Sequence, residues 1–194
     1  MSNLSEAPPR RHLTARQADT VRQLLDAAVA ELAASGYADL SVRHVASRAG
    51  VAAATAYTYF SSKEHLVAEV FWRRLKDLPP ARSDIDPLTA TVEAVKAIAL
   101  LVADEPLLAE ACTVAMLSDD PEVLDLRARV GLELHSRLLS ALGPDADEQV
   151  MLQVAMQWAG ATLYAGMGYL GYDQMAEALT SSTARILGIG ESPR

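Results

Sequence analysis

From Val21 to Leu187 the apolar residues recur three and four positions apart, and runs that alternate apolar with polar are nearly absent. That spacing places apolar side chains on one face of successive α-helices and offers almost nothing to a sheet. Val21, Leu24, Leu25, Ala28, Val29, Leu32 and Ala33 form the first such face, which Gly36 is expected to end. Ser41 is a helix N-cap ahead of Val42, Val45, Ala46 and Ala49, and a short helix is expected over 52–60. Ser61-Ser62-Lys63-Glu64 has a capping-box pattern and opens a fourth helix through Leu66, Val67, Val70, Phe71 and Leu75, stopped by Pro79-Pro80. Beyond a linker at 81–86, five helices are expected at Pro87–Ala103, Pro106–Leu117, Pro121–Leu142, Asp145–Leu170 and Asp173–Leu187. The chain is thus expected to be all-α with about nine helices, in blocks of 19–79 and 87–190.

Charge divides the chain at the same place. Residues 1–78 carry 10 bases and 8 acids, whereas 79–194 carry 7 and 17, which together give the net −8 of the 194-residue chain. An acidic second block repels nucleic acid, so any DNA contact belongs to the first. The single cysteine, Cys112, excludes a disulfide framework and a cysteine zinc site and fits a reducing cytoplasm. Gln149 to Tyr172 is 24 residues without a charge, but its three Gln, four Gly and many Ala suit a helix buried between protein surfaces rather than a membrane span. His12, His44, His65 and His135 are too scattered for a metal motif, and no nucleophile setting is present, so neither catalysis nor a cofactor is expected. Gly166-Met167-Gly168-Tyr169-Leu170-Gly171 fits G-x-G-x-x-G but follows a helical pattern rather than a strand, so it is not a dinucleotide site. Asp119-Asp120 reads as the flank of a helix N-terminus.

Residues 41–60, SVRHVASRAGVAAATAYTYF, have the spacing of a helix-turn-helix. Ala46 is small where two helices cross, Gly50 permits the turn, and Val45, Ala49, Val51, Ala56 and Tyr59 fill the seam. By pattern alone the segment is either a DNA-reading unit or a small helical hairpin in which Gly50 merely caps a helix. Gly36-Tyr37, Ser41-Val42-Arg43, Ala49-Gly50-Val51, Tyr57-Thr58-Tyr59-Phe60 and Ser62-Lys63-Glu64 settle the choice. At these residues, over about Asp19 to Pro79, the chain resembles the TetR family of bacterial transcriptional regulators.

That resemblance implies roles. Ser41, Arg43, Tyr57, Tyr59 and Lys63 stand where family members meet phosphates, while Ala52, Ala53, Ala54, Thr55 and Thr58 stand where bases are read. Three alanines there depart from the common pattern and shift direct readout onto Thr55, Thr58 and Arg43, with DNA shape supplying further specificity. Arg10, Arg11 and Arg16 form either a minor-groove arm or a solvated tail.

For the second block the resemblance implies a domain that binds a small molecule and pairs with a second subunit through the last two helices. Ala155, Ala159, Gly160 and Ala161 would allow close helix approach, and Met175, Leu179 and Ile186 form a candidate partner stripe. Candidate cavity residues are Leu101, Leu108, Cys112, Met116, Leu134, Leu138, Met151, Trp158 and Tyr164. Met116, Met151, Met156 and Met167 suit an adaptable apolar lining. Glu105-Pro106-Leu107-Leu108 through Asp119-Asp120 is loosely similar to actinobacterial regulators of sterol and fatty-acid breakdown, which implies an acyl or steroid thioester. The acidic block opposes a phosphate-rich ligand unless Arg127, Arg129 or Arg137 is placed for it. The expected function is a repressor released from a palindromic operator by an apolar effector. The rivals are an architectural or ligand-independent DNA binder and a small helical enzyme.

Overall fold

The computed structural model describes residues 14–82, 84–143 and 146–188, and within these the chain is helical throughout. Nine α-helices follow in order: α1 (Ala15–Asp39), α2 (Val42–Arg48), α3 (Ala53–Tyr59), α4 (Lys63–Asp77), α5 (Pro87–Ala99), α6 (Pro106–Ala115), α7 (Pro121–Leu142), α8 (Glu148–Gly166) and α9 (Tyr172–Ile186). A 3-10 turn at Leu100–Val102 extends α5.

Most starts follow from capping chemistry. Ser41, Ser62, Asp86, Asp120 and Asp147 each accept a hydrogen bond from a backbone N–H of the first turn they precede. Proline occupies the first turn of α5, α6 and α7, where its missing N–H removes no helical bond. Gly36 takes φ +75° as expected of a helix-ending glycine, but one more turn, Tyr37–Asp39, continues α1 beyond the kink. The long uncharged helix starts at Glu148 rather than near 145 and ends at Gly166. The Gly166–Gly171 segment is the connection from α8 to α9, with no strand before it among the described residues. No described helix is long and apolar enough to cross a membrane.

Helices α1 to α3 close over Leu24, Leu32, Val45, Ala46 and Ala56, all at or near zero exposure. Leu66 and Val67 of α4, and Leu108, Ala109, Ala111, Cys112 and Ala115 of α6, complete this one core. A second core lies between α5, α7, α8 and α9, around Val95, Leu138, Met151, Val154 and Leu179. Burial of a Leu or Val stabilises by about 1.5–3 kcal/mol, so each core is a substantial apolar body. Helix α6 therefore belongs structurally to the DNA-side core although it lies beyond the linker in sequence.

Candidate nucleic-acid interface and effector cavity

The hairpin of α2 and α3 is held tightly. Ala46 and Ala56 have no exposed surface, and the Val51 N–H donates to Ala46 O at 2.9 Å. Gly50 makes the turn at φ +66°, a conformation that side chains resist. One face of α3 is left open: Ala52, Ala54, Thr55, Tyr57 and Thr58 are exposed and Ala53 half-buried. Thr58 Oγ1 donates back to Ala54 O at 3.0 Å, which leaves its lone pairs and methyl outward. Arg43 is exposed, whereas Arg48 is held by Glu31 at 2.6 Å.

Three of the residues given phosphate roles are placed differently from one another. Tyr57 is 52 % exposed on the open face of α3. Tyr59 is half-buried against the α1–α3 core. Lys63 Nζ donates to Tyr37 O at 2.8 Å and sits 4.3 Å from the centre of the Tyr37 ring, so its ammonium caps the last turn of α1. Ser41 is spent in part on its own helix, accepting from the His44 N–H at 3.2 Å. Arg16 lies in the first turn of α1, and Arg10 and Arg11 fall outside the described residues.

The two blocks are joined by a polar contact that sequence reasoning missed. Asp120, the N-cap of α7, accepts from Ser61 Oγ at 3.0 Å and Ser62 Oγ at 2.6 Å, immediately after α3. Only its helix-flank character was visible in the sequence, because its partners lie 58 and 59 residues away. His65 packs beside this contact, its Nδ1 accepting from the Ser61 N–H at 3.3 Å with the Phe60 ring edge-on at 5.3 Å. Burial holds the imidazole below the usual histidine range, against Glu122, Glu69 and Asp120, which favour the charged form, and with Arg129, which opposes it.

A group with a depressed folded-state pKa gives stability that is complete above its unfolded value, about 6.5 for histidine, and is lost as pH falls through the folded one. The urea midpoint should therefore drop between about pH 7 and pH 5 by more in the wild type than in His65→Asn, whose amide oxygen can still accept from Ser61. Equal drops in the two proteins would remove His65 from the account.

In the second block an apolar pocket of about 280 Å³, partly open to the surface, is lined by residues of α4 to α9. Cys112, Met116 and Trp158 line it. A second cavity of about 230 Å³ is lined by Leu134, Leu138 and Met151 together with the same Trp158, and His135 stands at its edge. The other candidate lining residues are placed elsewhere. Leu108 is in the DNA-side core, Leu101 packs against Leu75, Ile98 and Val130, and Tyr164 is 56 % exposed with its ring 4.8 Å from that of Tyr169. Burial pushes the Cys112 thiol up to about 12, so it is a neutral part of the wall.

Of the three arginines considered for an anionic ligand, Arg137 is committed and Arg129 partly so, its Nε being buried without a hydrogen-bond partner. Arg137 donates to Leu75 O, Leu78 O and Pro79 O at the end of α4, and Arg129 pairs with Asp125 at 2.6 Å beside Trp72. Arg127 lines the larger cavity, with one guanidinium N–H on Ser118 O at 2.6 Å.

The proposed partner stripe also needs correction. Met175 and Leu179 are 3 % and 1 % exposed, buried within their own chain, and Ile186 packs on the same core. A row of uncovered apolar residues runs along α8 and its C-cap, where Leu152, Met156, Leu163 and Met167 are exposed on one side with Ala159 and Gly160 between them.

A helix-turn-helix with an open reading face, tied to a cavity-bearing helical domain, defines a DNA-binding regulator. Comparison with known proteins specifies the class. Residues 24–70 match the model of bacterial regulatory proteins, tetR family. An uncharacterised HTH-type transcriptional regulator of Mycobacterium tuberculosis is 43% identical over 181 residues, spanning 92% of this chain and 85% of its own. The HTH-type transcriptional repressor KstR of Rhodococcus jostii is 30% identical over 147 residues, spanning 71% and 68%. A TetR transcriptional regulator from Rhodococcus sp. RHA1 superposes with a TM-score of 0.71 at 20% identity, over 88% of this chain and 99% of that one. The regulator FadR of Bacillus subtilis, solved with stearoyl-CoA, superposes at 0.65 and 17% identity, over 88% and 99%. The chain belongs to the TetR family and is a transcriptional regulator of that type.

Proposed function

We propose that this regulator is a homodimeric repressor that a small apolar effector releases from a palindromic operator. One observation carries the reading: Ala109 and Cys112 line the larger cavity and also belong to the core shared with Val21, Leu24 and Val45 of the DNA-side block. Packed interiors transmit displacement rather than absorb it, so a ligand that moves this part of α6 moves the base of α1. Phe71 of α4 lines the same cavity, which gives the ligand a hold on the helix that follows the reading unit. Two reading heads must lie about 34–36 Å apart to enter successive major grooves, and the effector acts by favouring a different spacing. The coupling needed is about 1–3 kcal/mol, supplied only by the effector's preference for the non-binding arrangement.

The exposed side of α8 is the dimer face in this proposal, because a continuous run of uncovered large apolar residues marks an interaction surface. The stearoyl-CoA held by the structurally similar FadR supports an acyl-type effector. The apolar walls, the commitment of Arg137 and the partial commitment of Arg129 favour the apolar part of such a molecule as the portion recognised.

On the DNA side, Arg43, Ser41 and Tyr57 position the protein on phosphates, and Thr55, Thr58 and the methyls of Ala52, Ala53 and Ala54 face the bases. Tyr59 contributes from its half-buried place, and Lys63 fixes α1 against the reading unit. Arg43→Ala and Tyr57→Phe should each weaken binding to operator and to unrelated DNA alike, by about three- to tenfold, whereas Thr58→Ala should weaken operator binding selectively. Uniform loss with Thr58→Ala, or none with Arg43→Ala, would overturn these assignments.

A further inference from the structure

The larger pocket carries its charge at the rim. Phe71, Ile98, Met116 and Trp158 give it walls of carbon and sulfur, and among the described lining residues Arg127 of α7 is the sole charged side chain. The bond from Arg127 to Ser118 O at 2.6 Å locates its guanidinium. Ser118 directly follows Leu117, a lining residue that is 66 % exposed, so the guanidinium stands where the pocket meets solvent.

Arg127 also has donors to spare. A guanidinium presents several N–H groups in a planar fork, and among the described residues Ser118 O is the acceptor that Arg127 meets. The other two arginines of α7 pair with carboxylates, Arg129 with Asp125 and Arg137 with Glu133, whereas Arg127 pairs with none among the described residues. A guanidinium placed in this way at the mouth of an apolar pocket suits a carboxylate, whose paired oxygens match its fork. Charge balance limits the ligand further. Residues 79–194 carry 7 bases and 17 acids, a repulsion that grows with each negative charge the ligand brings. A single charge is met by the single cation at the mouth, and a string of phosphates is not.

The pocket gives such a ligand a direction. Along α7, Arg127 and Val130 line the larger pocket, then Gly131, Leu134 and Leu138 line the second, and along α8 the order reverses, with Trp158 lining both. Arg127 therefore stands at the end away from the second pocket, and Trp158 at the end beside it. Resting on the effector reading above, we infer that the effector is a singly charged amphiphile, a carboxylate held by Arg127 at the mouth with an apolar tail running inward toward Trp158. The open mouth leaves the head group partly hydrated, which spares the pair the full desolvation of a buried ion pair.

Calorimetric titration with sodium decanoate, 1-decanol and decanoyl-CoA tests this. Arg127→Gln should weaken decanoate by about fivefold or more and leave 1-decanol within about twofold, which serves as the control for folding. In the wild type, salt should weaken decanoate and not 1-decanol, and decanoate should bind more tightly than decanoyl-CoA. Unchanged decanoate affinity in Arg127→Gln would overturn the inference, as would tighter binding of decanoyl-CoA than of decanoate. Binding of 1-decanol without decanoate would overturn it while leaving an apolar effector standing. Binding of none of the three would overturn both.

Discussion

Met156→Glu should convert the protein from a dimer to a monomer and lower operator affinity by about a hundredfold or more. Met156 is 66 % exposed at the middle of the α8 face, flanked by Leu152, Gly160 and Leu163. A carboxylate there must be desolvated against apolar partner surface if the dimer forms, with no cation on that stretch of α8 to receive it. The loss in DNA binding follows from valency. Two half-sites held by one rigid dimer are bound with a high effective concentration for the second, and a monomer forfeits that advantage. Sedimentation should report about 20.8 kDa for the variant and twice that for the wild type. The circular dichroism melt should be little changed, since this side chain is mostly exposed and belongs to neither apolar core. A dimeric Met156→Glu protein with full operator affinity would move the interface away from α8.

The second large effect is structural. Arg137→Met should destabilise the protein by about 2–3 kcal/mol, because hydrogen bonds to a charged group are worth more than neutral ones and unsatisfied acceptors add their own cost. The Arg137 guanidinium donates to Leu75 O at 2.9 Å, Leu78 O at 3.1 Å and Pro79 O at 2.8 Å, and to Glu133 at 2.9 Å. These carbonyls end α4 and begin the linker, so one side chain of α7 closes the helix that connects the two blocks. Arg137→Lys should recover less than half the loss, since an ammonium cannot reproduce a planar fork on three acceptors. Urea midpoints provide the measurement, and a loss under about 0.5 kcal/mol in Arg137→Met would contradict the role.

How far these features were legible in the sequence depends on the distance over which they act. Ser41, Ser62 and Asp86 cap their own helices, and Pro87, Pro106 and Pro121 sit in the turns they start, so the helix starts there were readable to within a residue or two. The start near 145 was not, because Asp147 rather than an earlier residue provides the cap. The reading unit was legible because its seam residues are local, Val45 and Ala46 against Ala56.

Tertiary partners were not. The periodicity of Met175 and Leu179 says that α9 is covered on one face, but not whether its own chain or a second one covers it. Asp120 read only as a helix flank and Arg137 only as a possible ligand anchor, because their partners are about sixty residues away. Leu108, an apolar residue on α6 like Cys112, faces the DNA-side core without lining the cavity, a difference of register that composition cannot supply. Thr113 and Tyr172 carry no motif and meet only when α6 and α9 are packed.

The central claim, a DNA-binding regulator that reads sequence through α3, is tested most directly by fluorescence anisotropy. The purified protein would be titrated against the intergenic DNA beside its own gene and against unrelated DNA, at two salt concentrations. Selective binding to the intergenic DNA, by about a thousandfold or more and weakening steeply with salt, is the predicted result. Weak binding of equal strength to both DNAs would contradict it.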